Sequence, residues 1–290
     1  MQRSIKKDDD GGAREFRMRD GDFRSISKLI YANAGIIVDE NKKELVYARI
    51  ARRLRRLGLT DFGAYMSLME SPEGEKELGE FINALTTNHT FFFREGHHFD
   101  YIRDTMIPYW KQRAARTGDK KLRIWSTASS SGEEPYSLAM TIAHGLGDGW
   151  DWRILATDID TQVLRTAKIG QYGADVLNSI PKTYQNKYLE KAGPDHFRIV
   201  EPLRSRISFN RLNLHGNWPV KGQFDMIMCR NVVIYFNAED KARLVRRLCD
   251  TLKPDAWFFL GHSEALLSSE SALKLVGRTI YAVDPERTKP

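Results

Sequence analysis

The stretch RIWSTASSSGEEPYSLAM, residues 123–140, decides the fold. It begins as a buried strand at Arg123–Trp125, passes through small residues and a single glycine, Gly132, and continues as a helix. This order is typical of nucleotide sites in α/β folds, yet the G-x-G-x-x-G pattern of a pyrophosphate loop is missing. Glu133 and Glu134 open the helix and would repel a pyrophosphate, so the turn predicts a cationic or zwitterionic ligand. One glutamate complements the helix dipole, and the other has either that role or a ligand role.

Short apolar runs alternate with helical stretches from residue 121 onward, which predicts parallel βαβ units in a doubly wound sheet. Residues 170–206 interrupt this alternation and predict a small antiparallel insert, whereas residues 23–85 show only helical patterns. The predicted fold class is therefore α/β, with a small antiparallel β insert and a preceding all-α domain. The predicted strands are LRIWST (122–127), WRILATD (152–158), ISFNRLNL (207–214), FDMIMCR (224–230), AWFFLG (256–261) and TIYAVD (279–284).

The changes of pattern also set the predicted domain boundaries. A charged, glycine-containing flexible tail covers residues 1–20, and the helical domain covers 21–85. A linker segment and helix follow at 86–120. The α/β domain covers 121–284, with the β insert at about 170–206.

Composition and charge limit the function. The 290 residues carry a formal net charge of +7, which favours an acidic partner. Cys229 and Cys249 lack zinc-ligand spacing and indicate a reducing compartment, so we expect a cytoplasmic protein. No apolar run is long enough to predict membrane insertion. His97 and His98 are adjacent rather than one helical turn apart, so we expect no metal.

The most basic element is the predicted helix KKELVYARIARRLRRLGL, residues 42–59. Its apolar residues recur at helical spacing, and Gly58 suits the end of the helix. The basic face is either a solvated helix surface or a docking surface for an acidic partner. It lacks the interleaved aromatic residues that would stack nucleic-acid bases. The candidate docking residues are Arg49, Arg52, Arg53, Arg55 and Arg56.

Polar residues follow the predicted strands, at the edge where open α/β sheets bind ligands. Asp158 follows the second strand, where a carboxylate can accept two hydrogen bonds from a ribose diol. Asp160 can instead cap the next helix. Arg230 and Asn231 end a later strand, but the prolines of an Asn-Pro-Pro-aromatic loop are missing, which argues against an exocyclic amine as acceptor. Tyr235 is either a core aromatic residue or a hydroxyl donor in the site.

Several of these stretches together resemble the chemotaxis receptor glutamate methyltransferases, the CheR family. The resemblance covers residues 22–284 and implies a class I Rossmann-like S-adenosylmethionine-dependent methyltransferase domain after an all-α domain. It implies methyl transfer to glutamate carboxylates of chemoreceptors, with S-adenosylhomocysteine as the second product. The stretches that carry it are TNHTFFFRE (87–95), WSTASSSGEEPYSLAM (125–140), ATDID (156–160), NL (213–214), CRNVVIYF (229–236) and LKPDAWFFLGHSE (252–264).

The resemblance also implies roles for individual residues. Arg94 and Tyr235 would act on the acceptor side, as the catalytic residues. The receptor's anionic helical bundle would give the basic helix a partner, and in some members the β insert docks a receptor tail peptide. The implied cofactor-binding residues are Asn88, Thr90, Arg94, Glu134, Asp158, Asn213, Leu214, Cys229, Arg230 and Asn231.

The remaining predictions concern partners. We expect a monomer that binds no nucleic acid. Two alternatives stay open: a nucleic-acid methyltransferase that uses the basic helix to bind a duplex, and a catalytically silent sensor of S-adenosylmethionine. The first predicts a steep salt dependence of nucleic-acid affinity, and the second predicts cofactor binding without turnover.

Overall fold

The computed structural model describes residues 14–266 and 272–284. The chain divides into two compact units, the first ending at Thr87 and the second beginning at Asn88. Residues 1–13 of the predicted tail lie outside the described residues. The rest of that tail differs from the prediction, because Phe16 and Met18 are buried and the Phe16 N–H donates to the Tyr47 hydroxyl at 3.2 Å. Two large apolar side chains give this short segment a reason to pack.

The described residues of the first unit form helices joined by turns and loops, with no strand, as predicted. Asp61 caps the third helix by accepting from the Ala64 N–H at 2.9 Å, and Gly58 ends the second helix with a φ of 68°. A left-handed φ suits glycine at this position because glycine has no Cβ to clash. The helices are α1 (Asp20–Ala34), α2 (Lys43–Leu57), α3 (Phe62–Glu70) and α4 (Gly74–Leu85), with a 3-10 turn at Glu40–Lys42.

The second unit opens with an interrupted helix. Helix α5 (His97–Tyr101) continues through a π-helical segment, Ile102–Met106, into α6 (Ile107–Thr117). Pro108 lies just after the π segment and has no N–H to continue the α-helical bonding there. This composite helix packs on the sheet through Trp110 and other buried residues.

A seven-stranded sheet forms the centre of the second unit, in the order β6-β2-β1-β7-β8-β10-β9. Five neighbouring strands run parallel, and β10 runs antiparallel to both β8 and β9. Apolar clusters cover both faces of the sheet. The strands are β1 (Lys121–Ser126), β2 (Asp151–Asp158), β6 (Ile207–Arg211), β7 (Phe224–Cys229), β8 (Leu252–Leu260), β9 (Leu273–Gly277) and β10 (Ile280–Val283).

A second, three-stranded antiparallel sheet lies within the predicted insert. It has the order β3-β5-β4, with β3 at Gln171–Gly173, β4 at Leu189–Lys191 and β5 at His196–Ile199. The predicted α/β class with an antiparallel insert and an all-α first unit is therefore confirmed. The other helices of this unit are α7 (Glu133–Leu146), α8 (Thr161–Ile169), α9 (Lys182–Tyr188), α10 (Glu201–Arg204) and α11 (Ala238–Cys249).

The order of the strands determines where a ligand can bind. From the central strand β1 the chain moves outward to β2 and β6, then crosses back to β7 on the other side of β1. The carboxyl ends of β1 and β7 therefore border the crevice that such a reversal creates. Among the described residues, no helix has both the length and the apolar character needed to cross a bilayer.

Candidate functional site

The turn after β1 brings backbone donors to the carboxyl edge of the sheet. Ser130 has a φ of 47° and Gly132 a φ of 103°, so the chain reverses sharply before α7. A Cβ on Gly132 would lie 2.8 Å from the Tyr172 hydroxyl and 3.0 Å from the Ala167 Cβ. Both the backbone angle and this close approach require glycine. The single glycine of the turn thus serves helix packing.

Asp158, at the end of β2, is bonded to this turn. Its Oδ2 accepts from the Ser130 N–H at 2.8 Å, and its Oδ1 accepts from the Asp160 N–H at 2.9 Å. Burial raises the pKa of Asp158 to about 6, although these backbone bonds oppose the increase. Nearby, the Ser129 Oγ is buried, and no hydrogen-bond partner for it lies among the described residues. The carboxylate has further acceptor capacity, as the ribose role requires.

Glu134, whose side chain is 13% exposed, contacts the end of the neighbouring strand β7. Its carboxylate accepts from the Ser126 Oγ at 2.8 Å and from Arg230 Nη1 at 3.0 Å. Burial raises the pKa of Glu134, and Arg230 opposes that change. Glu133 instead accepts from the Ser131 hydroxyl. The two glutamates therefore have different surroundings, although both lie in the first turn of α7.

Arg230 joins the ends of β1 and β7 to the segment before α5. Its side chain is 1% exposed and forms ion pairs with Glu134 and, at 3.3 Å, with Glu95. Its Nη2 also donates to the Arg94 carbonyl at 2.5 Å. Burial alone would raise the pKa of Glu95, but Arg230 and His262 outweigh burial and lower it. The Arg230 guanidinium thus connects the end of β7 with the first turn of α7 and with the segment that carries Arg94 and Glu95.

The segment 88–96 is held against the turn by its first residue. Asn88 Nδ2 donates to Asp160 Oδ2 at 2.7 Å, and the Ser130 hydroxyl donates to the Asn88 carbonyl at 3.2 Å. Asp160 also caps α8, so the predicted capping role is confirmed. Thr90 is partly buried in the same segment.

Arg94 lies between two residues with a left-handed backbone. Phe93 has a φ of 56° and Glu95 a φ of 59°, values that non-glycine residues seldom adopt. The Arg94 Nη1 donates to the His89 carbonyl at 2.8 Å. The guanidinium also lies 5.9 Å from the centre of the Phe91 ring. Strain of this kind is common at functional sites.

The loop after β6 lies beside Asp158, because the Leu212 N–H donates to the Asp158 carbonyl at 2.9 Å. Asn213 shapes this loop: its Oδ1 accepts from the His215 N–H, and its carbonyl accepts from the Trp218 indole N–H. Leu214 is buried. These contacts hold Asn213 and Leu214, which the resemblance implies as cofactor-binding residues.

The end of β7 continues into a tight loop. Cys229 is fully buried, and burial raises the pKa of its thiol. Asn231 has a φ of 56°, and its Nδ2 donates to Glu95 Oε1 at 3.4 Å. Tyr235 is partly buried at the end of a 3-10 turn, Val233–Tyr235. The structure thus brings Glu134, Arg230, Asn231 and the segment that carries Arg94 together at one edge of the sheet.

The five arginines of α2 differ in their surroundings. Arg53 is 9% exposed and its guanidinium binds the Glu77 carboxylate through two hydrogen bonds, of 2.8 and 2.6 Å. Arg49 donates to the carbonyls of Leu85 and Thr86 at the end of α4. The predicted docking role does not fit Arg53, because its charge is already compensated and buried. The more exposed arginines are Arg52, Arg55 and Arg56, of which Arg55 forms an ion pair with Glu15.

One group of side chains has the composition of a metal site. Ligand atoms of Glu95, His97 and His98 lie within 4.8 Å of one another. Arg230 lies 3.3 Å from Glu95, and its positive charge would repel a cation there. Burial, together with Arg230, also lowers the pKa of His98. This surrounding charge favours an ion-pair network over a metal.

Sequence reasoning missed Glu95 and Glu264, both of which hold residues of the site. Glu95 contacts Arg230, Asn231 and His262. Glu264 accepts from backbone N–H groups of the loop after β7. Both belong to stretches that carry the resemblance, but a glutamate in a loop has no local pattern that reveals a distant partner.

Two family models match this chain. The model described as the CheR methyltransferase all-alpha domain matches residues 21–86, and the CheR methyltransferase SAM binding domain matches residues 88–282.

Curated relatives match along nearly the whole length. The chain is 43% identical to the chemotaxis protein methyltransferase of Escherichia coli over 274 residues, which cover 93% of each chain. It is 40% identical to the chemotaxis protein methyltransferase 2 of Pseudomonas aeruginosa over 277 residues, which cover 93% of this chain and 96% of the other. Together with the strand order and the site at the ends of β1 and β7, these matches show that the chain belongs to the CheR methyltransferase family.

Proposed function

We propose that this protein transfers a methyl group from S-adenosylmethionine to glutamate side-chain carboxylates of chemoreceptors. The products are a glutamate methyl ester and S-adenosylhomocysteine. The observation that carries the proposal is the buried Glu134–Arg230–Glu95 network. It joins the turn after β1, the end of β7 and the Arg94 segment in a chain of this family.

The residues around the turn suit S-adenosylmethionine. Asp158 has acceptor capacity for the ribose hydroxyls. The buried Ser129 Oγ nearby has no hydrogen-bond partner among the described residues and can bond to the ligand as well. Glu134 would face the methionine portion, and Asn213 with Leu214 would flank adenine. Further cofactor contacts are proposed for Asn88, Thr90, Arg94, Cys229, Arg230 and Asn231.

The acceptor chemistry requires no general base. A glutamate side chain has a reference pKa of about 4.3, so the carboxylate is ionised at neutral pH. When bound, S-adenosylmethionine supplies a methyl group activated by its sulfonium. The protein's part is to orient the carboxylate and exclude water, and orientation alone can contribute about 7–11 kcal/mol.

Arg94 and Tyr235 are the proposed acceptor-side residues. A guanidinium has five N–H donors in a planar fork, and the His89 carbonyl engages Nη1. The other donors suit a carboxylate, which a lysine would hold less well. The Tyr235 hydroxyl would donate a further hydrogen bond. The ester product is neutral, so each turnover removes one negative charge from the receptor.

Receptor docking is proposed at two places. The exposed basic residues Arg52, Arg55 and Arg56 of α2 would attract the anionic cytoplasmic helical bundle of a receptor. Strands β3 and β4 are the edges of the insert sheet, where a receptor tail peptide could add as a further strand. We also propose that the protein is a cytoplasmic monomer that uses no metal.

The proposal is tested with tritiated S-adenosylmethionine, the purified protein and membranes rich in chemoreceptors. We expect label in the receptor that alkali releases as volatile methanol, which identifies a carboxyl methyl ester. Arg94→Ala should lower transfer by roughly 100-fold, since misplacing the acceptor by about 1 Å can cost that much. Arg103→Ala is the matched control, because Arg103 is half exposed and pairs with Asp100 and Asp104 on the surface.

The other outcomes would contradict the proposal. Alkali-stable label in nucleic acid would identify a different acceptor. Cofactor binding with no transfer to any receptor would favour a silent sensor. Equal losses in Arg94→Ala and Arg103→Ala would remove Arg94 from the acceptor side.

A further inference from the structure

Glu264 lies in the turn after β8 and is 1% exposed. Its Oε2 accepts from the Gly261 N–H at 2.7 Å and from the Asn231 N–H at 2.8 Å. Its Oε1 accepts from the Ile234 N–H at 3.3 Å. The carboxylate thus gathers three backbone N–H groups from two loops. These loops follow the neighbouring parallel strands β7 and β8.

These bonds hold the two ends of a single tight turn. Asn231 and Ile234 are three residues apart, and Asn231 has the left-handed φ of 56° that turns the chain away from β7. This conformation is unfavourable for most residues and persists where surrounding contacts hold it. Charge-assisted bonds from a carboxylate to backbone N–H groups are stronger than neutral ones. Asparagine tolerates this conformation better than most residues, and Glu264 stabilises it further.

Gly261 makes this close approach possible. A Cβ at Gly261 would lie 2.5 Å from the Asn231 Nδ2, 2.8 Å from the Glu264 Oε2 and 2.9 Å from the Asn231 N. The φ of Gly261 is not positive, so backbone conformation does not require a glycine here. The close contact with the other loop does. The two loops are therefore fitted to one another around the carboxylate.

Residues at both ends of the same loop belong to the proposed reaction site. Arg230, one residue before the anchored Asn231, pairs with Glu134 and Glu95. Tyr235, one residue after the anchored Ile234, ends the 3-10 turn. A shift of the anchor would consequently move residues at both ends of the loop.

We propose that Glu264 is a positioning residue for methyl transfer. It acts through the Arg230–Tyr235 loop, which it holds in the geometry that the acceptor requires, and it does not touch cofactor or acceptor. This inference rests on the proposed function, since Tyr235 and Arg230 act in that reaction.

The decisive variant is Glu264→Gln. Glutamine keeps the shape of the side chain, but its amide nitrogen donates and cannot accept, so it cannot accept from all three N–H groups. We expect kcat for receptor methylation to fall by about 10- to 100-fold, because small misplacements at a reacting centre have costs of that size. The affinity for S-adenosylhomocysteine, measured by calorimetry, should fall by a smaller factor than kcat, because most of the proposed cofactor contacts lie outside this loop.

Asp225→Asn is the matched control. Asp225 is a second buried carboxylate, near the amino end of β7, where it holds Arg113 and Lys253. This variant should lower Tm while leaving kcat near that of the wild type. A loss of kcat in Asp225→Asn as large as in Glu264→Gln would overturn the proposal.

Amide hydrogen exchange provides a readout that does not depend on methyl transfer. The Asn231 and Ile234 amides should exchange faster in Glu264→Gln, while the amides of β1 stay protected. Unchanged exchange at both amides, or a kcat within twofold of the wild type, would overturn the positioning role. If the wild-type protein methylates no receptor, the proposed function fails, and the exchange data still decide whether Glu264 anchors the loop.

Discussion

Arg230 places one positive charge between two buried carboxylates. Glu95 and Glu134 have side chains that are 9% and 13% exposed, and both pair with a guanidinium that is 1% exposed. Buried charges are costly unless they are paired and hydrogen-bonded, so each of these groups depends on the others. Because the partners lie on three segments, the network orders the site before any ligand arrives. Such order reduces the cost of orienting reactants.

Asp158 leads to a prediction about pH. Burial raises its pKa from the usual 3.8 to about 6, so the folded protein holds this proton more tightly than the unfolded chain does. Its contribution to stability is therefore fully present below the unfolded pKa and is lost as pH rises through about 6. The carboxylate form is the one that accepts from ribose hydroxyls. The affinity for S-adenosylhomocysteine should consequently increase about tenfold from pH 5 to pH 7 and then level off.

Calorimetry across this pH range measures the effect, and Asp158→Asn is the control. The variant should bind more weakly, and the part of the pH dependence that Asp158 contributes should vanish. Glu134 also has a pKa raised by burial, so any dependence that remains in the variant would report on that group. A wild-type affinity that is flat from pH 5 to pH 7 would contradict the ribose role of Asp158.

At the scale of the element, α2 presents two kinds of arginine. Arg53 points into the first unit, where Glu77 also accepts from the Tyr65 hydroxyl at 3.0 Å. Arg52 and Arg56 are exposed. A charge run therefore does not define one surface, because the helix turns each successive side chain by about 100°. Because Arg53 is buried, a substitution there tests the stability of the first unit and not receptor docking.

Arg53→Ala should destabilise the first unit by about 3–5 kcal/mol, because it leaves the Glu77 carboxylate buried without its partner. Urea unfolding followed by circular dichroism at 222 nm reports on the helices of both units. All six tryptophans lie at residue 110 or beyond, so tryptophan fluorescence reports on the second unit. The part of the circular dichroism signal that comes from the first unit should be lost at lower urea, while the fluorescence transition should stay where it is.

Arg52→Ala is the control for this experiment. An exposed arginine on the same helix should change the free energy of unfolding by less than about 0.5 kcal/mol. Equal effects of the two substitutions would show that the Arg53–Glu77 pair has no special importance.

The elements themselves were largely predictable. The helix predicted after Gly132 is α7, Glu133–Leu146, and the six predicted strands all form. Their patterns are local, so a run of apolar residues and its flanking turn residues are sufficient. The hairpin strand β9 was missed, because Leu273–Gly277 exposes Leu275 and Val276 and so lacks the pattern of a buried strand. The last two strands also run antiparallel, a direction that the strand–helix alternation did not predict.

At the scale of the whole molecule, the net charge of +7 suits an anionic receptor. Reversing Arg52 and Arg56 together to Glu should lower kcat/KM for receptor by about tenfold at low salt, because steering of a charged partner is lost. The difference between variant and wild type should shrink as salt screens these exposed charges. Methylation rates at a series of salt concentrations measure both effects.

A matched double reversal separates local from global charge. Arg116 and Lys120 are exposed residues of the second unit, and their reversal to Glu changes the net charge by the same amount. That variant should keep most of its kcat/KM. Equal losses in the two double variants would show that net charge acts without a docking surface. A weaker affinity for S-adenosylhomocysteine in the Arg52/Arg56 variant would instead indicate altered folding.

The sequence by itself determined the fold class, the order of most elements and the edge of the sheet where the site lies. These follow from periodicity and from the rule that the carboxyl ends of parallel strands meet at one edge. Only the tertiary structure decided which charges are paired. In the folded chain Arg53 is buried against Glu77, and Arg230 pairs with both Glu95 and Glu134. Glu264 binds the backbone of the loop after β7. Ion pairs and backbone contacts join residues far apart in the chain, so they depend on packing, which no local pattern records.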